Sequence, residues 1–122
     1  MEMLSRRALL ATEGNPDIRF DYIVALGGSL RLGRIEIRYI PDRVILAEGA
    51  FTTYLTAFDR IEWRTTEEAA LAILNDLSNE LVARWVQVSL KGGTQEQMHY
   101  VVLEDRQPKW DNARLLARVA VS

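Results

Sequence analysis

The sequence predicts an α+β domain in which two β-hairpins flank two consecutive helices, in the order β–β–α–α–β–β. Three observations carry this. Arg34–Ile40 alternates with the period of a strand, setting Ile35, Ile37 and Tyr39 against Arg34, Glu36 and Arg38. Thr65-Thr-Glu-Glu68 opens a helical apolar stripe of Ala70, Leu71, Leu74, Leu77 and Leu81. Trp85–Leu90 and Gln97–Leu103 are two further strand-like runs, separated by Lys91-Gly-Gly93. This order gives an antiparallel four-stranded sheet with both helices on one face.

Taken along the chain, Glu13-Gly-Asn-Pro16 is a turn cluster. Asp21–Leu26, β-branched and aromatic, reads as the first strand, and Gly27–Gly33 as its hairpin connection to the second. Pro41-Asp42 stops the second strand. Phe51, Tyr54, Leu55 and Phe58 recur at helical spacing and predict a helix over 50–58. Thr65 with Glu68 fits a capping box for the next helix, which leaves Asn75, Asp76, Asn79 and Glu80 outside and ends near Ala83. After Pro108 a terminal helix is expected over 110–119. The whole, 1–122, is one domain with its core at about 17–104. The sheet's edges need partners, and its face of Ile35, Ile37 and Tyr39 points to a homo-oligomer that closes sheets into a barrel.

Composition excludes more than it assigns. With 48% apolar and 26% charged residues, a folded globular chain is expected rather than disorder. A net charge of −2 removes the general attraction to nucleic acid or anionic membranes. No cysteine means no disulfide, thiolate metal site or thiol nucleophile, and a single histidine, His99, argues against a metal centre. Lys91 and Lys109 leave little scope for Schiff-base chemistry. No apolar run approaches the ~20 residues of a membrane span, and the start is too short in apolar residues for a signal peptide. A cytoplasmic location is the expectation.

Several short motifs, in order and spacing, resemble one family. Asn15-Pro16 followed by Asp21-Tyr22, Ile37-Arg-Tyr-Ile-Pro-Asp42, Tyr54-Leu55 with Phe58, Glu67 ahead of Asn75-Asp-Leu77, and Arg84-Trp85-Val-Gln-Val88 are similar to the 7-cyano-7-deazaguanine (preQ0) nitrile reductases of queuosine biosynthesis. The likeness spans 15–90 and implies the tunnelling fold, an oligomeric barrel whose subunit interfaces hold a purine-, deazapurine- or pterin-like heterocycle. The departures are chemical. The loop carrying the family's catalytic cysteine and its acidic proton donor has no counterpart in Gly27–Gly33. The family's nicotinamide motif corresponds to Ala47–Tyr54, which has lost both lysines and keeps only a displaced Glu48. The family's histidine before its glutamate is Thr66 here. The resemblance therefore implies no nitrile reduction by this chain, no catalytic residues, no metal and no cofactor.

What the resemblance retains is Glu67, the carboxylate that would accept two hydrogen bonds from the N–H edge of the heterocycle. A plainer explanation stands beside it, since acidic residues collect in the first turn of helices. His99 reads as a surface or interface residue, Lys91-Gly-Gly93 as a hairpin turn, and Trp63 and Trp85 as packing. Arg31, Arg34 and Arg38 read as a solvated or subunit-contacting face, with Glu36 lowering its charge. Three functions remain open: a heterocycle-binding protein without reductase activity, a structural assembly protein, and a subunit completing a site with a cysteine-bearing partner.

Overall fold

The structure, a computed structural model, describes residues 2–119. Its elements are α1 (Met3–Arg7), β1 (Thr12–Gly14), β2 (Val24–Leu30), β3 (Gly33–Ile40), β4 (Val44–Leu46), α2 (Ala50–Phe58), α3 (Thr66–Leu81), β5 (Trp85–Gly93), β6 (Met98–Arg106) and α4 (Ala113–Leu116). The main sheet is antiparallel in the order β2-β3-β5-β6, and β1 pairs with β4 in a separate two-stranded sheet. The two hairpins and the two main helices thus take the expected order, but the structure adds a short helix at each end and the β1–β4 pair, in which β1 replaces the expected turn at Glu13-Gly14 and β4 falls between the first hairpin and α2.

Alternation along β3 decides which face is buried. Ile35, Ile37 and Tyr39 lie against Leu90, Val88 and Val86 in register and are all buried. They pack beneath Tyr54, Leu55 and Phe58 of α2 and Ile73 and Leu77 of α3, in one continuous core. Each such side chain contributes about 1.5–3 kcal/mol when fully buried. This corrects the expected reason for association: the chain's own helices cover that face. The uncovered face carries Arg34, Glu36 and Arg38, together with the exposed Met98, Tyr100 and Val102 of edge strand β6.

Gly27–Gly33 is not a loop. Residues 27–30 continue β2 in register with β3, from Gly27↔Glu36 to Leu30↔Gly33, and only Arg31 and Leu32 turn. A Cβ at Gly28 would lie 2.6 Å from Leu55 Cδ1 of α2, so a larger residue there would have to displace the end of that leucine. The Arg31 N–H donates to Asp59 Oδ1 at 2.7 Å, which ties the turn to the end of α2.

Two helix expectations change as well. The buried face of α3 is rotated toward Ala69, Ile73 and Asp76, so Leu71 is 48% exposed and Leu74 only half-buried. Asp76, expected outside, is fully buried. The helix ends at Leu81, where Val82 takes a left-handed conformation (φ 44°). The terminal helix expected over 110–119 is a single turn, Ala113–Leu116, which Asn112 caps by accepting from the Leu115 N–H at 3.1 Å.

Candidate functional site

Glu67 sits in the first turn of α3. Thr65 caps this helix, its Oγ1 accepting from the Glu68 N–H at 3.0 Å. The cap therefore does not use the Glu67 side chain, which is 56% exposed. Strand register supplies its neighbour. His99 of β6 lies opposite Gly92 of β5, on the sheet face that carries the helices. Its Nε2 is 3.2 Å from Glu67 Oε1, with the imidazole 43% exposed. The structure thus brings Glu67 and His99 together: His99 is a partly exposed surface residue, as expected, and it stands beside a carboxylate. A carboxylate at a helix N-terminus is also favoured by the helix dipole. The arrangement offers acceptor oxygens to N–H donors, beside an imidazole that can carry a proton.

The motifs behind the resemblance gather elsewhere, in structural roles. Arg84 is the hub. Its Nη1 donates to Asp21 Oδ1 at 2.8 Å and its Nη2 to the Ile18 carbonyl at 2.7 Å. The same Nη2 also reaches Asp42 Oδ1 at 3.3 Å. Asn15 donates to the Asp42 carbonyl at 2.7 Å and accepts from the Tyr22 hydroxyl at 2.6 Å. These bonds fasten the segment before β2, the end of β3 and the start of β5 to one another. Burial pushes the Asp21 carboxyl up, but donors from Asn112 and Arg84 outweigh it and hold it below its ordinary range.

A second network was missed from sequence. Asp76 Oδ2 accepts from Arg6 Nε at 2.5 Å and from the Tyr54 hydroxyl at 2.6 Å. Its Oδ1 accepts from Arg6 Nη2 at 3.0 Å and Arg7 Nε at 2.8 Å. The Arg6 guanidinium also lies 5.8 Å from the centroid of the Phe58 ring and 5.7 Å from that of Trp63. Burial first, and then Asp76, pushes the Tyr54 hydroxyl far above the ordinary phenol range, so it remains a donor. The signal available in the sequence was an aspartate between Ile73 and Leu77 on an apolar helix, with adjacent arginines near the start.

The other candidates have local explanations. Arg38 pairs with Glu36 at 2.6 Å and donates to Gln87 at 3.0 Å, while Arg31 serves the turn at Asp59. Lys91 Nζ lies 5.5 Å from the centroid of the Tyr100 ring. Trp63 stacks on Phe58 at 4.7 Å, and Trp85 Nε1 donates to Glu104 at 2.7 Å. Among the described residues, no group of three or more His, Cys, Asp or Glu is placed to hold a metal ion.

Two clefts flank α2. One, of about 280 Å³, lies between Leu30, Arg31, Phe58, Asp59 and Trp63. The other, of about 400 Å³, takes in Tyr22, Leu26, Tyr39, Glu48 and Phe51, and so includes the segment that corresponds to the nicotinamide motif. Neither is lined by Glu67 or His99. Among the described residues, the sole charged one lining the larger cleft is Glu48, a carboxylate. The lining that this chain supplies offers a carboxylate and no cation to the anionic groups of a phosphate-bearing nicotinamide cofactor.

No protein-family model matches the sequence. No curated protein matches it. Among solved structures, the chain is similar to the archaeosine synthase QueF-Like in its apo form, at 20% identity and a TM-score of 0.48. That similarity covers 70% of this chain and 90% of the other. A likeness of this size assigns no residue role.

Proposed function

We propose that this chain is a tunnelling-fold protein that binds a purine-, deazapurine- or pterin-like heterocycle through Glu67, at an interface between its own copies, and that it does not reduce nitriles. One observation carries this reading. The fold spends nearly every motif carboxylate on itself, Asp21 and Asp42 on Arg84 and Asp76 on Arg6, yet leaves Glu67 at the surface where, among the described residues, only His99 stands at ion-pair distance. An exposed acceptor at the helix mouth suits a ligand edge with two N–H donors once a neighbouring copy shields it. The two-hairpin, two-helix order supports the barrel, in which the uncovered sheet face of Arg34, Arg38, Tyr100 and Val102 would turn toward the other copies.

The test is a thermal-shift screen of guanine, deazaguanines, pterins and urate. A ligand that binds only the folded state at 100 times its Kd adds about 2.7 kcal/mol of stability. Glu67→Gln is expected to cost about 2–4 kcal/mol of binding, because one acceptor becomes a donor facing a donor. Glu68→Gln, whose backbone N–H alone serves the cap, is expected to leave binding unchanged. Equal effects of the two substitutions would assign Glu67 to the helix end only. Steady NADPH oxidation dependent on 7-cyano-7-deazaguanine would refute the absence of reductase activity. A second reading, a structural assembly protein, is favoured by the position of both clefts away from Glu67. Failure of every heterocycle in the screen would select it.

A further inference from the structure

We propose that His99 makes ligand capture by Glu67 depend on protonation: the neutral imidazole leaves the carboxylate's charge available to a ligand's N–H donors, and the imidazolium withdraws it. This rests on the heterocycle reading of Glu67 and adds a control to the same site.

The geometry is specific. His99 is the only histidine in the chain, and its Nε2 stands 3.2 Å from Glu67 Oε1. The residue opposite it on β5, Gly92, has no side chain to intervene. The other charged groups nearby on the adjoining elements are Glu68 in the first turn of α3, Glu96 in the β5–β6 turn and Lys91 of β5; the remaining charges of α3 and β6, Asp76, Glu80 and Glu104 to Arg106, lie further along those elements, with Asp76 bound to Arg6 and Glu104 to Arg106. Lys91 pairs with Tyr100 on the opposite sheet face, its ammonium 5.5 Å from that ring's centroid. Among the described residues, Glu67 alone stands at ion-pair distance from the imidazole.

The chemistry fixes the direction. A neutral heterocycle bound by two N–H groups gains from full negative charge on its acceptor. Histidine ordinarily changes charge between pH 5 and 8. When His99 is protonated, its charge offsets that of Glu67, and the ligand's bonds weaken. The pair is about half exposed, so the effect is modest, about threefold in affinity.

The test measures the Kd of 7-deazaguanine by calorimetry at pH 5.5 and pH 8.0, for the wild type, His99→Gln and Glu67→Gln. The wild type is expected to bind about threefold more tightly at pH 8.0. His99→Gln should bind equally at both pH values, and Glu67→Gln weakly and equally at both. The His99 ring resonances, free of overlap from any other histidine, should shift when 7-deazaguanine is added. Binding that is the same at both pH values in the wild type, or an unchanged pH dependence in His99→Gln, overturns the proposal and leaves the heterocycle reading intact. Absence of binding at either pH overturns both.

Discussion

Asp76→Asn tests the buried network most directly. Each oxygen of Asp76 accepts two donors, Arg6 and Tyr54 on Oδ2, Arg6 and Arg7 on Oδ1. Asparagine has the same shape but turns one oxygen into an NH₂ group, so two donors lose their acceptor whichever way the amide is oriented. The charge is lost as well. Arg6, whose guanidinium Asp76 holds above its ordinary range against the opposing effect of burial, stays cationic without a counter-ion. Both side chains are almost wholly withdrawn from water, with 9% and 0% exposure, so solvent cannot replace the lost partner. Breaking such a pair costs about 3–5 kcal/mol. Set against the roughly 6–18 kcal/mol that a chain of this length typically has, that is a large share of the total. Urea unfolding followed by circular dichroism measures it, and the melting temperature should fall by about 10–20 °C. The variant Arg6→Met, Arg7→Met, Tyr54→Phe, Asp76→Leu should recover most of the loss, since apolar replacement removes the charges together with their desolvation. A stability for Asp76→Asn within about 1 kcal/mol of the wild type would refute the account of a tightly coupled core carboxylate.

Asp21, held below its ordinary range in the folded chain, contributes stability above the unfolded aspartate range near ~3.9, and that contribution is lost as pH falls through the folded value. Unfolding measured from pH 6 to pH 2.5 should therefore show a shallower acid loss in Asp21→Asn, and identical acid limbs would contradict it. Val82, β-branched and exposed at a φ of 44° where α3 ends, should be improved by glycine. Val82→Gly is expected to add about 1 kcal/mol, and a loss in chemical denaturation would show that the left-handed cap is not strained. Light scattering at micromolar concentration should give a multiple of 13.9 kDa, and a monomer alone would remove the shared-barrel reading and its interface pocket.

The amino-acid pattern by itself determined the order of the two hairpins and the two main helices, and most of the core. Period-two alternation in Arg34–Ile40 and helical spacing in Phe51, Tyr54, Leu55 and Phe58 are local signals, read from neighbours in sequence, and the structure keeps them. The Thr65 cap was legible for the same reason. Tertiary structure decided what depends on distant partners. Glycines 27 and 28 read as a loop, yet pairing with β3 and the close approach of α2 make them strand. Asp76 read as a solvated helix residue, because no local rule shows that two arginines 69 and 70 positions away neutralise it inside the core. Glu67 was singled out through the family resemblance and His99 was set aside, because a strand and a helix 32 positions apart (99 − 67) meet only when β6 folds back beside α3. The physical reason is the same throughout. Backbone periodicity is a property of adjacent residues, whereas the value of a charge depends on which charge the fold brings beside it.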